Sequence, residues 1–175
     1  MTERRGILSR TAGVAVALLL LGYGAALLGD LWVHPEKYQW DFVSYYYAGR
    51  EADEGLNPYA LDSLSRVAGA EIGLPFAYSP ATLPLFQALS RLELIAAYRV
   101  YLALKIIAVA GLLCLWSFAF LREERDLLFY VVCLLGFGGA IYLDLEAGNV
   151  SILEQVGLWL ACWAWRKSRW LIFAG

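Results

Sequence analysis

Residues 11–29, TAGVAVALLLLGYGAALLG, run for nineteen positions without a charge. As a helix they would rise about 28 Å, close to the hydrocarbon thickness of a bilayer. That reading decides the fold, because the surrounding chain has a membrane protein's composition: 61% of its 175 residues are hydrophobic, 15% are aromatic and only 17% are charged. A soluble domain of this length needs more polar side chains to cover its surface. Arg4, Arg5 and Arg10 precede the run, and Asp30, Glu36 and Asp41 follow it. The basic flank puts the amino terminus in the cytoplasm and Asp41 on the outer side. A cleaved signal peptide is the competing reading, but the run exceeds the usual apolar length of one and further apolar segments follow.

Beyond this first span, residues 30–93 read as one long outer loop. Its centre, QWDFVSYYYAGREADEGLNPY at Gln39–Tyr59, is the most polar part of the chain. Phe42, Tyr45, Tyr46, Gly49 and Ala52 recur at helical spacing, with Arg50, Asp53 and Glu54 on other faces. This predicts an amphipathic helix, Phe42 to Glu54, lying on the membrane surface. Gly55 is expected to end it, Asn57-Pro58 to turn the chain, and Asp62 to cap a short second helix. After Pro84 too little apolar helix remains to cross, so Ala81–Leu92 is expected as another surface or re-entrant helix. Spans then follow at 95–121, 127–143 and 152–165, with 170–175 beginning a fifth. This arrangement gathers the basic residues around 122–126 and 166–169 on the cytoplasmic side with the amino-terminal arginines. The expected fold is all-α: a polytopic transmembrane helix bundle over 1–175, with juxtamembrane helices in its first outer loop.

The net charge of −2 without a basic tract gives no sign of nucleic-acid binding. Cys114, Cys133 and Cys162 lie in apolar runs and offer neither a disulfide framework nor metal-ligand spacing, and His34 has no nearby ligating partner. The expected topology brings Asp41, Tyr78, Arg99 and the turn from Asp144 to Asn149 to one outer face. Asp41, between Trp40 and Phe42 and ahead of Tyr45-Tyr46-Tyr47, reads as a helix cap or hydrated acid, or as a general base for a sugar hydroxyl. Arg99 and Lys105, in an otherwise apolar helix, either snorkel to the interface or hold a lipid phosphate. Asp144 and Glu146 are hydrated helix-end acids or a second acidic pair in the same cleft. Two carboxylates are few ligands for a hard cation, so a divalent metal is allowed but not required.

Three ordered stretches carry a family resemblance. Asp41 followed by YYYAGREADEGLNPY, FAYSP at Phe76–Pro80, and GNVSIL at Gly148–Leu153 resemble the amino-terminal part of glycosyltransferase family 87. These are polytopic enzymes of the GT-C superfamily that use polyprenyl-phosphate sugars, among them mannosyl- and arabinofuranosyltransferases of cell-envelope glycolipids. Ser79 stands where the family commonly has proline, and Asn149 and Ser151 where glutamine and asparagine are commoner. Members are longer, so the chain is expected to be the first part of such a fold.

The resemblance implies an inverting transfer on the outer face of the plasma membrane, from a polyprenyl-phosphate sugar to a glycolipid or glycan acceptor, with Asp41 as base and no cofactor. It implies that Tyr45, Tyr46 and Tyr78 stack on sugar rings or donate hydroxyls, and that Arg50, Glu146 and Asn149 add substrate contacts. Arg99, helped by Lys105, would stabilise the departing phosphate. The rival expectation is a non-catalytic membrane protein that binds a glycolipid or assembles with a partner. A transporter of lipid-linked sugars would need paired broken helices in inverted halves, and the sequence has no such symmetry.

Overall fold

A computed structural model of the chain describes residues 2–121 and 138–167, with side chains described for 13–121 and 140–167. Every regular element among the described residues is helical. In chain order these are α1 (Thr2–Val33), α2 (Trp40–Asp53), α3 (Leu61–Ala68), α4 (Leu83–Leu89), α5 (Leu94–Leu115), α6 (Gly138–Ala147) and α7 (Ser151–Arg166). Among the described residues two stretches, Gly13–Val33 and Leu94–Phe120, are long and apolar enough to cross a membrane. The first includes the uncharged run, extended through Asp30 to Val33; the second is α5 with the π turn Trp116–Phe120 that continues it. The expected span at 152–165 corresponds to α7, whose sixteen residues rise about 24 Å. Most of the span expected at 127–143, and all of the segment at 170–175, lies outside the described residues.

The chain divides into two compact units, with the boundary inside α5 between Ile106 and Ile107. The first comprises residues 1–33, 107–143 and 151–175. Its α1 exposes Val14, Leu18, Leu19 and Tyr23, apolar surface of the kind that lipid covers. Within this unit the Trp159 ring stands edge-on to Trp116 at 5.6 Å and to Phe120 at 5.0 Å. Arg166 donates to Ala119 O at 3.1 Å while its guanidinium lies over the Phe120 ring. An apolar cavity of about 130 Å³ is lined by Val109, Leu112, Leu113, Trp116, Ile141 and Ile152, with Gln155 at its edge.

The second unit comprises residues 34–106 and 144–150. Here α2 is not the one-faced surface helix that its spacing predicts. It buries Phe42, Ser44, Tyr45, Tyr46, Ala48, Gly49 and Glu51, positions distributed around its circumference. The physical reason is that α3, α4, the first half of α5 and the 144–150 turn all supply surface to it. At Gly49 a Cβ would stand 2.8 Å from Gln87 N and nearer still to the Phe86 carbonyl, so the absence of a side chain lets α4 cross α2 backbone to backbone. The core between them is aromatic: Phe86 lies 5.0 Å from Tyr45 and 5.9 Å from Tyr101, and Phe42 stacks on Tyr101 at 4.9 Å. Each such pair contributes about 0.5–1.5 kcal/mol beyond the area it buries.

Local signals at the helix ends account for the connections. Gly55 takes a φ of +71° after α2, and Asn57 Oδ1 accepts the Tyr59 N–H at 3.1 Å, forming the expected turn. Asp62 does not cap α3. Ala60 occupies the cap position, and Asp62 sits in the first turn, where the helix dipole still favours its charge. The segment expected as a helix over Ala81–Leu92 resolves into a 3-10 turn, Pro80–Thr82, followed by α4. The seven residues of α4 rise about 10 Å, a third of a bilayer's hydrocarbon thickness.

Candidate functional site

Within the second unit, α2 begins from a strained residue. Gln39, its N-cap, has φ +69°, which costs a residue with a side chain about 1–2 kcal/mol. Its N–H donates to Glu146 O at 2.8 Å, so the end of α6 anchors the start of α2. The Gln39 side chain is buried, and its Oε1 has no hydrogen-bond partner among the described residues.

Asp41 follows in the first turn, where unpaired backbone N–H groups and the helix dipole favour a carboxylate. It is therefore not the helix cap. Its Oδ2 accepts a hydrogen bond from Asn149 Nδ2 at 2.9 Å. Asn149 is itself held in place: Tyr78 donates its hydroxyl to Oδ1 at 3.1 Å, and Tyr101 donates to the backbone carbonyl at 3.1 Å. One helical turn after Asp41, the Tyr45 ring stands perpendicular to that of Tyr78 with centroids 5.2 Å apart. Burial first, then the neighbouring Tyr78 hydroxyl and the Asp41 charge, push the Tyr45 hydroxyl well above its ordinary pKa. Tyr59 donates to Tyr78 O at 3.1 Å and so fixes the FAYSP segment.

The turn carrying Asn149 is tied on several sides. The N–H groups of Gly148 and Asn149 both donate to Asp144 O at 3.1 Å. Gly148 has φ +73°, and a Cβ there would lie 2.6 Å from Phe42 Cβ, so glycine is required both by conformation and by contact. From α5, Tyr98 donates to Leu145 O at 3.4 Å, and Lys105 both donates to Asp144 O and pairs with the Asp144 carboxylate. Tyr98, Tyr101 and Lys105 are spaced i, i+3 and i+7 along one face of α5, so a single helix face holds the whole turn.

Several expected assignments change against this geometry. Lys105 neither snorkels nor offers its charge to a phosphate. It is fully buried, and its ammonium group is taken by Asp144, since a buried charge persists when it is paired. Asp144 is therefore not part of an acidic pair with Glu146. Glu146 is half-buried, and its backbone carbonyl accepts from Gln39. Tyr46 turns away from Asp41 and donates to Leu92 O at 2.7 Å; burial raises the pKa of its hydroxyl against the opposing charge of Arg50 beside it. Arg50 follows Asp41 by nine residues, about 13 Å along α2 and half a turn around it, so it does not face the acid. Arg99 is half-buried on α5. Six residues from Lys105, it points about 120° away, so the two cations do not form one phosphate clamp.

The structure thus brings together Asp41, Tyr45, Tyr78 and Asn149, and adds Gln39, Tyr98 and Tyr101, which sequence reading did not single out. The signal for the last two was available: three hydrogen-bonding side chains on one face of an apolar helix need partners. Asp41 Oδ1 takes no hydrogen bond among the described residues and is the oxygen left to receive a proton. No cluster of three or more potential metal-ligating His, Cys, Asp or Glu residues is present among the described residues. Compared with known protein families, with curated proteins and with solved structures, the chain matches none.

Proposed function

We propose that the chain is part of a multi-pass membrane glycosyltransferase, and that its second unit activates a hydroxyl acceptor on the outer face of the membrane. The observation that carries this reading is Asp41: a carboxylate with one oxygen held by Asn149 and the other taking no hydrogen bond among the described residues, near the Tyr45–Tyr78 ring pair. Tyrosine faces and hydroxyls suit sugar rings, and an acid with one open oxygen suits removal of a proton from a sugar hydroxyl.

In the reaction proposed, the acceptor hydroxyl gives its proton to Asp41 Oδ1 as its oxygen bonds to the anomeric carbon of the donor sugar. The bond from that carbon to the polyprenyl phosphate breaks, and the phosphate leaves with the electron pair. With Lys105 engaged by Asp144, Arg99 is the cation of α5 assigned to the departing phosphate. The same engagement favours a second reading, in which the tyrosine-rich site binds a glycolipid without transfer.

One assay separates the two. Membranes expressing the chain in its complete reading frame are given radiolabelled polyprenyl-phosphate mannose, and glycolipid labelling is compared with that of Asp41→Asn at matched protein level. Loss of transfer with donor binding retained supports the base. Full activity in the variant overturns it, and a wild type that binds the donor without transfer favours the binding reading.

A further inference from the structure

The polarity of the hydrogen bonds around Asp41 follows from the carboxylate. An ionised carboxylate only accepts, so the Asn149 amide must turn its nitrogen toward Asp41 Oδ2 and its oxygen away. That oxygen needs a donor, and the Tyr78 hydroxyl supplies one at 3.1 Å. Having given its proton to Asn149, the Tyr78 oxygen is left only to accept. The bonds therefore run one way, from Tyr78 to Asn149 to Asp41, and each polarises the next. The chain's two anchors come from different parts of the sequence: Tyr78 is held through its backbone by Tyr59, and Asn149 through its backbone by Tyr101 of α5.

We propose that Asn149 is the positioning residue for Asp41, and that the one-way chain from Tyr78 through Asn149 reserves Oδ2 as a spectator and Oδ1 as the single proton-accepting oxygen. This rests on the reading of Asp41 as the base. When Oδ1 takes the acceptor's proton, Oδ2 becomes the carbonyl oxygen of the neutral acid and still accepts from Asn149. No bond in the chain has to reverse during the transfer. Asp41 Oδ1 also takes no hydrogen bond among the described residues, which favours an acceptor that brings the proton, a hydroxyl, over one that brings only lone pairs.

The test compares Asn149→Ala, Tyr78→Phe and the double variant with wild type, in membranes supplied with polyprenyl-phosphate mannose. Tyr78→Phe removes a single oxygen and keeps the ring, so it stays informative if Asn149→Ala does not fold. A misaimed base costs about 100-fold in kcat; Asn149→Ala is expected to show that loss with KM unchanged, and Tyr78→Phe a smaller loss. The double variant is expected to be no worse than Asn149→Ala alone. Wild-type turnover in Asn149→Ala, or independent losses that multiply in the double variant, would overturn the proposal. If the wild type transfers nothing, the glycosyltransferase reading fails, and thermal unfolding of Asp41→Ala, Asn149→Ala and their double decides the clamp. Losses in Tm that fall short of additive support it, and additive losses overturn it.

Discussion

Replacing Lys105 by methionine isolates the ion pair that holds the turn after α6. Methionine keeps the stem of the side chain and removes the ammonium group, leaving the Asp144 carboxylate where Lys105 had neutralised it. The side chains of Lys105 and Asp144 are 1% and 9% exposed, so neither charge can turn to solvent when its partner is lost. Breaking such a pair from one side costs about 3–5 kcal/mol, which for a chain of this size lowers Tm by about 6–20 °C. Removing both charges, as in Lys105→Met with Asp144→Leu, leaves only the lost hydrogen bond to the Asp144 carbonyl, about 1 kcal/mol, or about 2–4 °C. The assay is thermal unfolding of the three proteins in one detergent, followed by tryptophan fluorescence. The expected order is the single variant well below the double, with the double close to wild type. A single variant as stable as wild type, or a double variant no better than the single, would refute the reasoning. If the double variant also retains donor-dependent transfer, Lys105 has no part in holding the phosphate.

Two further outcomes are expected of the second unit, and one of the first serves as its control. Gly49→Ala forces α4 away from α2 and is expected to destabilise by about 1–3 kcal/mol, read as a lower Tm. By contrast Gly111→Ala, where a Cβ meets nothing within 4 Å, is expected to be neutral or stabilising by up to about 1 kcal/mol. The Tyr45 hydroxyl holds its proton above the ordinary value of 10.0, so its contribution to stability is complete below about pH 10 and is lost as pH rises from there toward its raised folded value. Unfolding measured from about pH 8 to about pH 12 should therefore show an alkaline loss that Tyr45→Phe reduces; an identical loss in the variant would remove Tyr45 as its source.

The apolar stretches at Gly13–Val33 and Leu94–Phe120 were legible because nineteen or more residues with few charges leave few structural choices. The meeting of Asp41, Tyr78 and Asn149 was foreseeable from the expected topology, which needs only the order and length of apolar runs. The direction of each side chain was harder. Tyr45 and Tyr46 are neighbours in sequence, yet about 100° of helix separates them, and one borders Asp41 while the other reaches Leu92. Helical arithmetic alone would have set Arg50 opposite Asp41 and divided Arg99 from Lys105. The partner of Lys105 was another matter, since its match with Asp144, 39 residues away, depends on how deeply α5 sets its polar face beside the turn. Likewise nothing in the string QWDF marks Gln39 as left-handed, because the bond that fixes it is made to the carbonyl of Glu146.

Asp41 and Asn149 stand 108 residues apart in the chain, and this distance has a meaning in time. At about 5–20 residues per second of synthesis, the asparagine is made about 5–20 s after the acid. For that interval α2 exists with its aspartate and tyrosines but without the amide that aims the carboxylate. Lys105, made in between, likewise waits for the anion that neutralises it before its helix can bury the charge. Assembly of the unit is therefore gated by the arrival of the seven-residue segment 144–150, and a nascent chain that ends short of it carries the acid with no geometry to use it.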